Sequence, residues 1–133
     1  MHSKEEKLSL LSEMISLAKI DGEVKDSEYQ FIIAVAEQLG VTKKELDDLA
    51  KNEVAQKILK PEAQRILQFQ RLVLLMNIDN HASEKEIHLI KDFGFKMGLR
   101  PEAINMVLRE MHNYPNKMIP SDELIKIFTR FYN

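Results

Sequence analysis

Residues 17–40 read LAKIDGEVKDSEYQFIIAVAEQLG, and residues 75–98 read LMNIDNHASEKEIHLIKDFGFKMG. The second segment follows the first by 58 positions, and the two align without a gap. The matched columns include Asp21 with Asp79, Glu28 with Glu86, and Gly40 with Gly98. Apolar residues also share columns along both flanking segments. This repeat predicts two helix–loop–helix units, each built around an Asp-containing loop, that pack on each other about a pseudo-twofold axis.

The sequence outside the two loops is also typical of helices. The chain has only 4 glycines and 4 prolines, too few for the many turns of an all-β protein. Capping boxes at Thr42–Glu45 and Ser83–Glu86 predict two helix starts, and the first of these helices should end near Lys51. Pro61 and Pro101 suit the first turns of two others. We expect a loosely helical stretch from Lys51 to Leu59.

Taken together, these patterns predict an all-α fold. We expect one domain over residues 1–133, a helical bundle of about seven helices with two pseudo-symmetric helix–loop–helix units. The repeat covers residues 8–46 and 66–104, and a last helix, capped by Ser121, covers about residues 121–132. The segment from Leu72 to Met76 is apolar on every side, so we expect it to be the most buried part of the chain.

Composition excludes several classes of protein. The 133 residues carry 19 Lys and Arg against 21 Asp and Glu, without the basic excess of a nucleic-acid-binding protein. There is no cysteine, which rules out disulfides, thiolate zinc sites and thiol nucleophiles. The longest apolar run is far shorter than a membrane span, and no secretory h-region is visible. We therefore expect a cytoplasmic protein without a transmembrane segment, which leaves peripheral membrane association open.

The loop carboxylates Asp21, Glu28, Asp79 and Glu86 allow two interpretations. In the structural one, the Asp side chains bind loop amides and the Glu side chains stabilise helix N-termini. In the functional one, the four carboxylates converge on a cation or on a basic group of a partner. Neither loop is an EF-hand, because Leu17 and Leu75 would occupy the first calcium-ligand position.

The segment Ile20-Asp21-Gly22-Glu23-Val24, followed by Glu28, Phe31, Ala36 and Leu39-Gly40-Val41, resembles the TerB-type tellurite-resistance domain. The same domain occurs at the N-terminus of DjlA-type membrane co-chaperones. The resemblance spans about residues 8–110. It implies an all-helical domain with internal pseudo-symmetry that acts as a bacterial, stress-linked binding module without established catalysis. It also implies metal binding by acidic residues at the positions of Asp21, Glu23, Glu28, Asp79 and Glu86.

Two positions depart from the family pattern. Asn80 stands where the first loop has glycine, and His81 stands where it has Glu23. His81 weakens a purely carboxylate site and is itself a weaker metal candidate. With Glu84 and His88 it has the spacing of one helical face, which suits zinc or nickel.

The leading hypothesis is a non-enzymatic TerB-like module in a metal, tellurite or envelope stress response. It would bind a divalent metal ion or a protein partner through the acidic inter-helix loops. The alternative is a pure protein–protein interaction or homo-oligomerisation module that uses the aromatic C-terminal helix, with the loop carboxylates as structural caps. An enzyme is not expected, because the sequence presents neither a convincing nucleophile nor an activating base.

Overall fold

The computed structural model describes residues 3–52, 54, 56–79 and 81–130 of the chain. This part of the chain folds into seven α-helices and contains no β-strand. The helices are α1 (Lys4–Lys19), α2 (Asp26–Leu39), α3 (Lys43–Lys51), α4 (Glu62–Met76), α5 (Glu84–Lys96), α6 (Pro101–Glu110) and α7 (Ser121–Arg130). Two short 3-10 turns, Met111–Asn113 and Pro115–Lys117, connect α6 to α7. The all-α bundle expected from the sequence is confirmed.

The helix boundaries follow the 58-residue offset. The first three helices begin at Lys4, Asp26 and Lys43, and the next three begin at Glu62, Glu84 and Pro101, each 58 positions later. Gly40 and Gly98 end the equivalent helices α2 and α5 with φ angles of 73° and 81°. Glycine adopts this left-handed conformation without the steric penalty that a Cβ would bring. The two three-helix units are therefore built by the same local rules.

Helices α1 and α4 form the centre of the bundle and pack against each other. Their inward faces supply most of the side chains that are wholly removed from solvent. These are Leu11, Met14 and Leu17 on α1, and Phe69, Leu72, Leu75 and Met76 on α4. The segment from Leu72 to Met76 is buried as expected except at Leu74, which is only half-buried.

The two units differ in how their third helix is held. Helix α3 packs directly on α1, whereas α6 packs on α7, which in turn lies against α4. Leu124, Ile127 and Phe128 of α7 are buried, and the Phe128 ring meets Phe69 edge-on at a centroid distance of 5.8 Å. The seventh helix thus completes the core of the second unit only.

Two expectations for the connecting segments require correction, and part of a third lies outside the described residues. No helix forms in the described residues between Asn52 and Lys60, because the amides of Val54 and Lys57 donate to the hydroxyls of Ser12 and Ser9 instead of to helix carbonyls. Ser121 is the first residue of α7 rather than its cap, and its hydroxyl donates to Gln70 Oε1 at 3.3 Å. The expected last helix is described as far as Arg130, and residues 131 and 132 lie outside the described part.

Candidate functional site

The loops of the two units face each other across one cleft. It has a volume of about 260 Å³ and lies where α1 and α4 end and where α2 and α5 begin. All six site residues predicted from the sequence line it, namely Asp21, Glu23, Glu28, Asp79, His81 and Glu86. Lys25, Ser83 and Ala18 complete the lining. We call this feature the acidic cleft.

Two equivalent contacts cross the acidic cleft. Lys25 Nζ forms a short ion pair with Asp79 Oδ2, and Ser83 Oγ donates to Asp21 Oδ1 at 3.2 Å. Lys25 and Ser83 hold the same position in the repeat, and so do Asp21 and Asp79. Each loop therefore offers its aspartate to the residue that precedes the other unit's second helix. This reciprocity is what a twofold relation between the units produces.

Three of the carboxylates also bind amides of their own loop. Glu28 accepts from the Lys25 amide and Glu86 accepts from the Ser83 amide, each at 3.0 Å. Asp79 accepts from the His81 amide at 3.2 Å. Ser83 completes a full capping box, as the sequence predicted, because its hydroxyl also accepts from the Glu86 amide. The capping and the convergent arrangements expected as alternatives occur together.

The electrostatics of the acidic cleft divide its carboxylates into two kinds. Burial raises the pKa of Glu28 and of Glu86, and the charge of Asp21 adds to the rise in both. The hydrogen bond from Lys25 lowers the pKa of Asp79, and the same contact raises the pKa of Lys25. The ammonium group of Lys25 therefore acts as an internal counterion for a surface that carries an excess of negative charge.

Within the described residues, no group of three or more His, Asp and Glu side chains is arranged to hold a metal ion. The trio of His81, Glu84 and His88 is not on one helical face, because His81 precedes α5. His81 lines the acidic cleft, whereas Glu84 and His88 line a separate surface groove, where His88 Nε2 lies 3.8 Å from Asp92. Asn80, the position equivalent to Gly22 of the first loop, lies outside the described residues.

Lys25 and Ser83 are parts of the site that were not predicted from the sequence. Their equivalence under the 58-residue offset is a signal that could have revealed both. Glu13, which is 5 % exposed among the core residues of α1, was not predicted either. Its spacing from Leu10 and Leu17 places it on the apolar face of that helix, and this is a sign of a buried carboxyl group.

None of the helices in the described ranges combines the length and apolarity needed to cross a membrane. Comparisons of the chain with protein-family models, with curated proteins and with solved structures gave no match.

Proposed function

We propose that this protein is a non-enzymatic, TerB-like binding module whose acidic cleft takes a cationic ligand, either a divalent metal ion or a basic side chain of a protein partner. The observation that carries the proposal is the convergence of Asp21, Glu28, Asp79 and Glu86, two from each unit, on one cleft. The resemblance to the TerB family, with its stress-linked role, points to the same residues.

The contact between Lys25 and Asp79 supports a cationic group as the ligand of the acidic cleft. The ammonium group of Lys25 binds one of the four carboxylates, that of Asp79. Among the described salt bridges, none involves the other three carboxylates. Both the Lys25 and the Asp79 side chains keep contact with solvent, with exposed fractions of 53 % and 22 %. An external cation can therefore compete with Lys25 for Asp79 without unfolding the site.

The alternative, interaction through the C-terminal helix, has less support. Its described apolar residues Leu124, Ile127 and Phe128 are buried against the protein's own core. Among the described residues of this helix, Ile125, at 45 % exposure, is the apolar residue presented to solvent. One exposed isoleucine within residues 121–130 is a small surface for recognition of a partner, and Phe131 and Tyr132 lie outside the described residues.

The test is a thermal-shift and calorimetric titration with calcium, manganese and zinc chlorides and, separately, with an oligolysine peptide. A ligand that binds only the folded protein stabilises it by about 2.7 kcal/mol at a hundredfold excess over its Kd. Asp21→Asn with Asp79→Asn should abolish the shift. The matched control, Glu37→Gln with Glu102→Gln, changes the net charge equally at exposed positions outside the cleft and should retain it.

Lys25→Met removes the internal counterion, and its effect should be opposite to that of the two Asp→Asn changes. Because the competing ammonium is gone, the cation-induced shift should be larger than in the wild type, while the cation-free variant should be less stable. A response to the salts but not to oligolysine identifies a metal ligand, and the reverse identifies a basic partner. If neither probe shifts the wild type or Lys25→Met, the carboxylates are structural caps and the proposal is wrong.

A further inference from the structure

A second carboxyl group lies apart from the acidic cleft, inside the contact between α1 and α4. Glu13 is 5 % exposed and accepts a hydrogen bond of 3.0 Å from Gln68 Nε2. Gln68 is fully buried and also donates to the carbonyl of Leu10 at 3.1 Å. The Gln68 amide favours the charged form of this carboxyl group and lowers its pKa, but burial has the larger and opposite effect and favours the protonated form.

Residues 56–60, which we call the strap, cover this carboxyl group. The Lys57 amide donates to the buried hydroxyl of Ser9 at 2.8 Å, and Leu59 is 3 % exposed. Gln56 lies close enough to lower the pKa of Glu13, although its buried Nε2 makes no well-formed hydrogen bond. The pocket between Glu13 and the strap has a volume of only about 10 Å³. That is at most one water molecule, so the closed strap leaves no room to hydrate a carboxylate.

The cations around this pocket do not neutralise Glu13. Lys57 faces it from the strap, Arg65 from α4, and Arg71 of α4 is connected to it through Gln68. Each is bound to another acceptor: Lys57 to Glu5, Arg65 to the carbonyl of Met97, and Arg71 to Gln68 Oε1. Among the described contacts, none joins a cation to Glu13.

We infer that the strap is a proton-controlled cover, which lies closed on α1 while Glu13 is protonated and opens when Glu13 releases its proton to solvent. The carboxylate formed in this way needs water. Of the two segments that enclose it, the strap is held by fewer contacts than α4. The hydrogen bond to Ser9, the side chain of Leu59 and an exposed ion pair hold the strap, whereas α4 belongs to the central core.

The pH at which the strap opens follows from the environment of Glu13. Burial raises the pKa of this carboxyl group to about 7 in the closed form, from 4.5 in water. If opening restores the ordinary pKa, the equilibrium constant for opening rises about tenfold between pH 6 and pH 8. The fraction of molecules in which the surface beneath the strap is exposed would then change with pH near neutrality.

Hydrogen exchange of the Lys57 amide measures this opening directly, because that amide is bonded to Ser9 in the closed form. The ratio of its exchange rates in the wild type and in Glu13→Gln cancels the intrinsic pH dependence of exchange. This ratio should increase about tenfold from pH 6 to pH 8. Ser9→Ala is the matched control, since it should speed exchange at Lys57 by the same factor at both pH values.

Two results would overturn the inference. One is a ratio for Lys57 that does not change with pH, and the other is a Lys57 amide as strongly protected from exchange as the core amides of α4, which would indicate that it is exposed only by global unfolding. If Glu13→Gln proves too unstable, the wild type alone suffices. Its Lys57 amide should gain exchange relative to the Val41 amide, which is bonded to the carbonyl of Ala36 inside the helix C-cap.

Discussion

Gly94 is a position where one added methyl group should distinguish helix propensity from packing. Alanine there would place its Cβ 2.7 Å from Ile104 Cδ1 and 3.1 Å from Phe69 Cε1. Contacts between carbon atoms are favourable at about 3.5–4.0 Å, so both neighbours would have to move. Ile104 and Phe69 are 2 % and 0 % exposed, which leaves them little space to do so.

The magnitude follows from two opposing effects. Alanine is favoured over glycine inside a helix by about 1 kcal/mol, whereas overpacking a core costs about 1–3 kcal/mol. We therefore expect Gly94→Ala to lower the free energy of unfolding by up to about 2 kcal/mol. Ile104→Val removes the Cδ1 atom and should cost about 0.5–1.5 kcal/mol alone. The double variant should be more stable than the sum of the two effects by at least about 1 kcal/mol, because the shorter side chain makes room for the new methyl group.

Urea unfolding followed by circular dichroism measures these differences in the free energy of unfolding. Ala36 holds the equivalent position of the first unit and already carries the methyl group, so Ala36→Gly should lose the helix-propensity term and a buried methyl group together, at least about 1 kcal/mol. A Gly94→Ala variant that is more stable than the wild type, or a strictly additive double variant, would refute the packing argument.

Two further predictions concern the core. The folded protein holds a proton on Glu13 up to a pH of about 7, and the unfolded chain releases it near 4.5. The contribution of this group to stability is therefore greatest below pH 4.5 and falls by about 3 kcal/mol as the pH rises to 7, as urea unfolding should show in the wild type but not in Glu13→Gln. Leu75→Ala should lower the free energy of unfolding by about 2–5 kcal/mol, whereas Ile125→Ala, at an exposed site, should change it by less than about 0.5 kcal/mol. Equal losses at Leu75 and Ile125 would place the core elsewhere.

Most of the fold could be predicted because it depends on local rules. The capping boxes at Thr42 and Ser83 and the glycines at 40 and 98 set helix ends by the conformations that a few neighbouring residues prefer. The repeat also made convergence of the loop aspartates one of two interpretations of the loops, because units related by a twofold axis can bring equivalent residues together. These signals need no knowledge of which helices touch.

The remaining features depend on contacts between distant elements. Leu49 and Val107 are equivalent apolar residues, and both are buried, yet α3 packs on α1 while α6 packs on α7. An apolar stripe predicts burial but not the partner that provides it. The pairing of Lys25 with Asp79 and the burial of Glu13 beneath the strap likewise arise only when separate segments meet.

The differences between the two loops also give the acidic cleft a direction. Asp21 and Glu28 are repeated on the other side as Asp79 and Glu86, so these four carboxylates would meet an elongated ligand equally in either orientation. Lys25 opposite Ser83, and Glu23 opposite His81, are the positions at which the two sides differ. Of the four pairs of equivalent described residues that line the cleft, these two would select which end of a bound ligand faces which unit, and exchanging them between the loops would reverse its polarity.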